Sequence, residues 1–270
     1  MRQRSGDLRH HHGADEEEAG RGSLPIAQSI IDAHAHFEHG LNYYHIPYIH
    51  EDSVVSEMDR FGIRYAFVFS FSGIRSDFPV GNDAIIRPVR EHPNRFAGFT
   101  TLNVNYPQLW LEELDRCWEA GLSGIKLIPH YQGHRTIYVD TSTVLRWAND
   151  HRCPMLNHSW DDPAALSRWA TGFPDACFII GHASFDYADA VNRFPNVYQC
   201  TCAVLQKGQF ERMCSLLDTD KIIYGSDFAD LDITFGLGPI LWARVHDGVK
   251  RKVLSLNPQR VVDGYPTRSR

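Results

Sequence analysis

The stretch PMLNHSWDDPAALSRWATGFPDACFIIGH, residues 154–182, carries the architecture in miniature. Pro154 to Asn157 is a short apolar run of the length of a buried strand, and His158 closes it. Asp161-Asp162-Pro163 is a helix start, with acidic caps followed by proline in the first turn. Gly172 falls where that helix should end. Cys177 to Ile180 then opens a second buried strand, closed by Gly181 and His182. The unit is strand, helix, strand, with a histidine at the end of each strand.

The same rhythm runs in both directions from this unit. Ile30-Ile31, Tyr65 to Phe71, Phe96 to Leu102, Gly124 to Ile128, Val197 to Val204 and Lys221 to Tyr224 read as further buried strands. Between them, Trp110, Leu111, Leu114, Cys117 and Trp118 fit one helical face, as do Val144, Leu145, Trp147 and Ala148. Val54, Val55 and Met58 begin another after an acidic Glu51-Asp52-Ser53 entry, and Gly62 and Gly121 mark helix ends. Strict alternation of eight strands with helices predicts an α/β fold, a single (β/α)8 TIM barrel over residues 26–270. An open doubly wound sheet is the alternative. It would normally carry G-x-G-x-x-G after its first strand, and none is present.

Residues 1–25 form a separate zone in which Arg2, Arg4, Arg9 and Arg21 face Asp7, Asp15, Glu16, Glu17 and Glu18 with almost no apolar residue between them. Such a composition predicts a disordered tail. A net charge of −6, from 27 Lys+Arg against 33 Asp+Glu in 270 residues, gives no electrostatic reason to expect nucleic acid. No apolar run approaches the roughly 18 residues of a membrane span, and the tail lacks an apolar signal segment, so a cytoplasmic location is expected. The six cysteines are then expected to be reduced thiols; Cys200 and Cys202 could bind metal as alternate residues of a strand, but without a second cysteine pair they read as buried and inert. Fifteen histidines is a high number, and the composition alone leaves it open.

The strand ends supply the answer. Asp32-Ala33-His34-Ala35-His36 follows the first strand, and residues i and i+2 of a strand share a face, so both imidazoles can grip one ion. His158, His182 and Asp227 end strands five, six and eight, and Lys126 lies in strand four. Each has an ordinary structural explanation by itself. Together they converge only at the C-terminal mouth of a barrel, where active sites of this fold lie. Several imidazoles and one carboxylate are a ligand set for Zn2+ or a similar divalent ion, Mn2+ or another transition metal being the alternative. The first βα loop, Phe37 to His50, holds Tyr44 among other aromatic residues that could recognise a flat substrate or pack the loop down. Arg75, in the loop from Phe71 to Phe78, offers a cation for a substrate carboxylate.

Five blocks carry a resemblance: Ile31 to Phe37, Gly124 to Gly133, the histidines His158 and His182, Asn196-Val197-Tyr198, and Tyr224-Gly225-Ser226-Asp227-Phe228. In them the chain resembles the amidohydrolase superfamily, in the amidohydrolase 2 branch that includes aminocarboxymuconate-semialdehyde decarboxylase. The resemblance implies one metal ion bound by His34, His36 and His158, with Asp227 at or beside it and His182 against the substrate or the metal's water. It implies a hydrolase in which the ion acidifies a water, Asp227 acts as general base and His182 steadies the oxyanion on a C–N amide or a C–O lactone or ester. Decarboxylation of a small unsaturated or aromatic acid by the same residues is the first alternative, and an inactive barrel serving as a binding protein is the second. In binuclear relatives a strand-four lysine is carbamylated; for this branch Lys126 is expected to be electrostatic or structural. Three departures bear on the substrate. Ile128 replaces a family histidine while His130 follows the proline, Cys200-Thr201-Cys202 stands where an Asp-Thr-Ser-like stretch is usual, and Ser159-Trp160 should shape a different pocket floor. Lys126, His130, Trp160, Tyr44 and Arg75 are therefore the expected substrate-binding residues. The partner is a small molecule, and a homodimer is the oligomer to expect if the chain is not a monomer.

Overall fold

The structure is a computed structural model that describes residues 29–37, 51–75, 77–202 and 206–265. The tail expected to be disordered and the loop bearing Tyr44 lie outside the described residues.

Eight strands follow one another around the molecule in sequence order: β1 Ile30–Phe37, β2 Ile63–Ser70, β3 Phe96–Thr101, β4 Gly124–Leu127, β5 Pro154–Asn157, β6 Cys177–Ile180, β7 Val197–Cys200 and β8 Ile222–Ile223. Every neighbouring pair from β1–β2 to β7–β8 is parallel. Closure falls to the segment after β8. Ala33 N–H donates to the Tyr224 carbonyl at 2.8 Å, Asp227 N–H donates to the His34 carbonyl at 2.9 Å, and Ala35 bridges to Phe228. The chain is thus a (β/α)8 barrel, with its last seam made by irregular backbone. No helix of the described residues is long and apolar enough to cross a membrane.

Both faces of these strands are buried, which is why they read as unbroken apolar runs. Ile31, Phe67, Phe99, Leu156, Ile179 and Ile223 fill the barrel interior. Val68, Ile125, Leu127, Met155, Phe178 and Ile180 face the surrounding helices. The helix Pro163–Gly172 starts as expected: the Asp162 carboxylate accepts the Ala164 N–H at 2.8 Å and Pro163 occupies the first turn. Gly121, at φ 109°, ends the helix Trp110–Ala120 in the left-handed region that glycine adopts freely. On that helix Trp110, Leu114 and Cys117 are buried, whereas Leu111 is 45% exposed. One residue's advance is about 100° of rotation, which carries Leu111 off the apolar stripe.

One irregularity positions the chemistry. In the pairing of β1 with β2, Asp32 lies opposite Ala66 and Ala35 opposite Val68, so β1 spends an extra residue there. This bulge reverses the inward and outward order. Ile31 and Ala33 point into the barrel before it; after it Ala35 and Phe37 point out, and His36 comes opposite the inward Phe69. The Asp32 carboxyl holds the bulge, accepting His34 N–H at 3.0 Å, Ser226 N–H at 3.0 Å and the Ser226 hydroxyl. Burial pushes that carboxyl up to about 7 against the pull of the Ser226 and His34 hydrogen bonds. Asp32 ties the first strand to the segment that delivers Asp227.

Candidate metal centre

His34 is fully buried, and its Nδ1 lies 3.0 Å from the Gly181 carbonyl. A carbonyl only accepts, so Nδ1 carries the proton and Nε2 turns a lone pair to the barrel axis, as in an imidazole whose far nitrogen is anchored by a carbonyl while the near one binds a metal. That Nε2 lies 3.2 Å from Asp227 Oδ1 and 3.3 Å from Lys126 Nζ. His36 Nε2 lies 3.2 Å from the same Asp227 oxygen. Asp227 has φ 64°, a left-handed conformation that aspartate tolerates better than most residues. Its backbone bond to the His34 carbonyl and the Asp230 and Leu231 N–H groups on its own carbonyl, each 2.8 Å, hold that turn.

The donor atoms of His34, His182, Cys202 and Asp227 all lie within 4.8 Å of one another. His182 Nδ1 is 3.8 Å from Cys202 Sγ, and its ring lies 4.1 Å from that of His158, centroid to centroid. Burial lowers the His34 imidazole well below its ordinary value, His158 to about 2 and His182 to about 4, so all three are neutral ligands at pH 7. Burial opposes the charge of Asp227, yet the hydrogen bond with His36 holds its carboxyl well below the usual range. One anion among neutral imidazoles, with buried Nδ1 atoms of His36 and His158 lacking hydrogen-bond partners, fits a divalent transition ion.

The expected residues are distributed unevenly around this cluster. His34, Asp227 and His182 belong to it, His36 joins through Asp227, and His158 stacks on His182. Lys126 faces inward: Ile125 and Leu127 belong to the outer layer, and Nζ lies 4.1 Å from the Phe69 ring centre. Burial lowers its ammonium to about 8 despite the charge of Asp227. His130 stands at the rim, with Nε2 2.8 Å from Asp161 Oδ1 and its ring 6.1 Å from His158. The Arg75 guanidinium lies 4.8 Å from the Phe71 ring centre, and Phe71 in turn 4.8 Å from His36. Trp160 is in a different place from the one expected. It is wholly buried in the outer layer between Phe178 and Trp169, with its indole N–H donated to the Ile179 carbonyl, and shapes no pocket floor. The strand has ended by then, and the turn that follows, with Asp162 N–H on the Trp160 carbonyl at 2.7 Å, swings the indole outward. Asp32 is a contributor to which the sequence assigns no role. Cys202 lies in the cluster, in line with the metal-binding alternative that the Cys200-Thr201-Cys202 alternation offers rather than with an inert thiol.

The backbone of Gly225 passes directly under the centre. A Cβ there would lie 2.4 Å from Cys200 Sγ and 2.6 Å from His34 Cβ. Gly225→Ala should therefore cost about 1–3 kcal/mol of stability, the usual penalty of overpacking. A thermal melt checks it, and an unchanged midpoint would show that the close approach is not enforced.

Several solved structures share the fold. The chain matches an uncharacterized TIM-barrel protein from Bordetella bronchiseptica at 14% identity and TM-score 0.71, covering 87% of this chain and 99% of that one. It matches 5-carboxyvanillate decarboxylase from Sphingomonas paucimobilis at 13% identity and TM-score 0.67, covering 88% and 99%. It matches a dihydroxybenzoic acid decarboxylase from a Polaromonas species, solved with manganese and the inhibitor 2-nitroresorcinol, at 13% identity and TM-score 0.67, covering 90% and 99%. At such identities these likenesses speak for the fold. The family model described as amidohydrolase matches residues 31–264, from the first strand to the last helix. The chain belongs to the amidohydrolase family, a family of metal-dependent enzymes.

Proposed function

We propose that the chain catalyses the non-oxidative decarboxylation of a small aromatic or unsaturated carboxylic acid at a divalent metal in the barrel mouth. The observation that carries this reading is the aromatic wall beside the cluster. Phe69 and Phe71 meet the His36 ring edge-on at 4.6 and 4.8 Å, and Tyr131 lies 5.3 Å from His158. Phe69 and Phe71 are buried behind His36, so the ring open to a flat substrate is that of Tyr131, which is 41% exposed. The decarboxylases of similar fold act on hydroxylated and methoxylated benzoic acids, which agrees with it.

When bound, the ion supplies positive charge that polarises and orients the substrate's oxygens. Held by His34, His182 and Asp227, with His36 and His158 beside them, it is expected to be zinc on a nitrogen-rich donor set. Loss of CO2 replaces a C–CO2− bond with C–H, so one proton must reach the carbon. Asp227 is placed to take up and hand over that proton, because its Oδ1 faces the centre 3.2 Å from Nε2 of both His34 and His36. Lys126 adds positive charge beside His34, and Arg75 at the rim offers a partner for the departing carboxylate. The rings of Phe69 and Phe71 keep bulk water from His36. The reaction is assigned to the cytoplasm.

A hydrolytic reading has one observation in its favour: Asp227 is held ionised at neutral pH, as a general base for water must be. The two readings separate on products. Incubation with hydroxybenzoic and unsaturated acids should release one CO2 per acid consumed, whereas lactones and amides should be left intact. Turnover of a lactone or amide, with no CO2 from any acid, would replace the proposal with hydrolysis.

A further inference from the structure

We propose that Cys202 is a ligand of the metal at this centre and that its sulfur makes the site select zinc or cobalt over manganese. The inference rests on the metal-centre reading above and goes beyond it in the donor set. Three facts converge. Cys202 Sγ is one of the four donor atoms lying within 4.8 Å of one another. A tetrahedral zinc with bonds of about 2.0–2.3 Å separates its ligand atoms by somewhat less than this, so a small inward adjustment closes the shell. The neighbouring cysteine is excluded by position: Cys200 lies one layer deeper, where its Sγ accepts the Cys202 N–H at 3.4 Å, and it is not part of the cluster.

Burial and the neighbouring Asp227 carboxylate push the Cys202 thiol up, so its sulfur keeps its proton until an ion is present. An ion at the centre would supply the positive charge that a thiolate needs, with Lys126 Nζ 3.3 Å from His34 Nε2 and Asp227 the one other anionic donor of the four-residue cluster. Coordination exchanges the S–H bond for an S–metal bond and releases one proton to solvent through the mouth, with no change of oxidation state. Thiolate is a soft ligand that favours zinc and cobalt, whereas manganese prefers oxygen. A similar fold has been solved with manganese bound. The sulfur would separate this chain's metal preference from such a case.

Cobalt reports the bond directly. The full-length protein, stripped with a chelator and reloaded with Co2+, should show a near-ultraviolet thiolate-to-cobalt charge-transfer band. Cys202→Ser should lose that band while keeping the visible cobalt bands, and its zinc affinity measured by competition should fall at least about tenfold relative to its manganese affinity. Cys200→Ser should keep the band. Stoichiometric cobalt uptake by the unmodified protein without the band would overturn the assignment, and so would a band that survives Cys202→Ser. The wild-type spectrum decides even if a variant folds poorly. Failure to take up any cobalt would overturn the metal-centre reading and this inference with it, an outcome distinct from uptake without the band.

Discussion

Asp227→Asn should lower kcat by about 10²- to 10⁴-fold, the usual contribution of a positioned acid–base group. The side chain keeps its size, so the left-handed turn at φ 64° and the backbone bond to the His34 carbonyl should persist. What disappears is the basic oxygen that meets both His34 Nε2 and His36 Nε2 at 3.2 Å. The amide can still accept a hydrogen bond, but it cannot hold and pass a proton at neutral pH. Metal should be retained in part, because the imidazoles remain. Steady-state kinetics on an acid that the unmodified protein decarboxylates, with metal content measured on the same sample, checks this. Near-wild-type turnover would remove Asp227 from the chemistry even with the centre intact.

His34→Ala should act earlier, on the metal itself. Its Nε2 lies within 3.3 Å of both Asp227 and Lys126, and the Gly181 carbonyl fixes its ring. Loss of a second-shell partner typically costs 10–100-fold in metal affinity, so loss of this ligand should exceed about 100-fold. The variant should purify without metal and without activity. It should also melt lower, since a fully buried ring is deleted and the Gly181 carbonyl loses its partner, a cost of about 1–3 kcal/mol for the carbonyl alone. Equilibrium dialysis against zinc measures the affinity. A variant that binds zinc as tightly as the parent would show that His34 is a packing residue.

The barrel was legible because its physics is periodic. Strands buried on both faces must be apolar throughout, and the helices between them must show one apolar stripe, so residues 154–182 alone revealed the repeating unit. The chemistry was legible for a related reason: polar side chains at the ends of such strands have few places to go except the mouth. Register was harder. Nothing in Asp32-Ala33-His34-Ala35-His36 announces an extra residue in β1, since a bulge exists only in relation to the partner strand. The direction of Lys126 was hidden likewise, because every residue of Gly124–Leu127 is buried and the side that faces the axis depends on pairing with β3 and β5. Trp160 packs outward because β5 ends at Asn157 and the turn after it sets the indole's direction, which no sequence period reports. The Cys200-Thr201-Cys202 alternation offers both an inert pair and a metal ligand, and the choice depends on His182 and Asp227, 20 and 25 residues away on either side, which only the fold brings against Cys202.

A divalent metal at the barrel mouth is decisive for everything above, and elemental analysis of protein purified without added metal measures it. About one equivalent of a transition ion per chain should be found, and a chelator should remove it and abolish CO2 release, both restored on adding zinc. Less than about a tenth of an equivalent, with none taken up from zinc, cobalt or manganese, would contradict it.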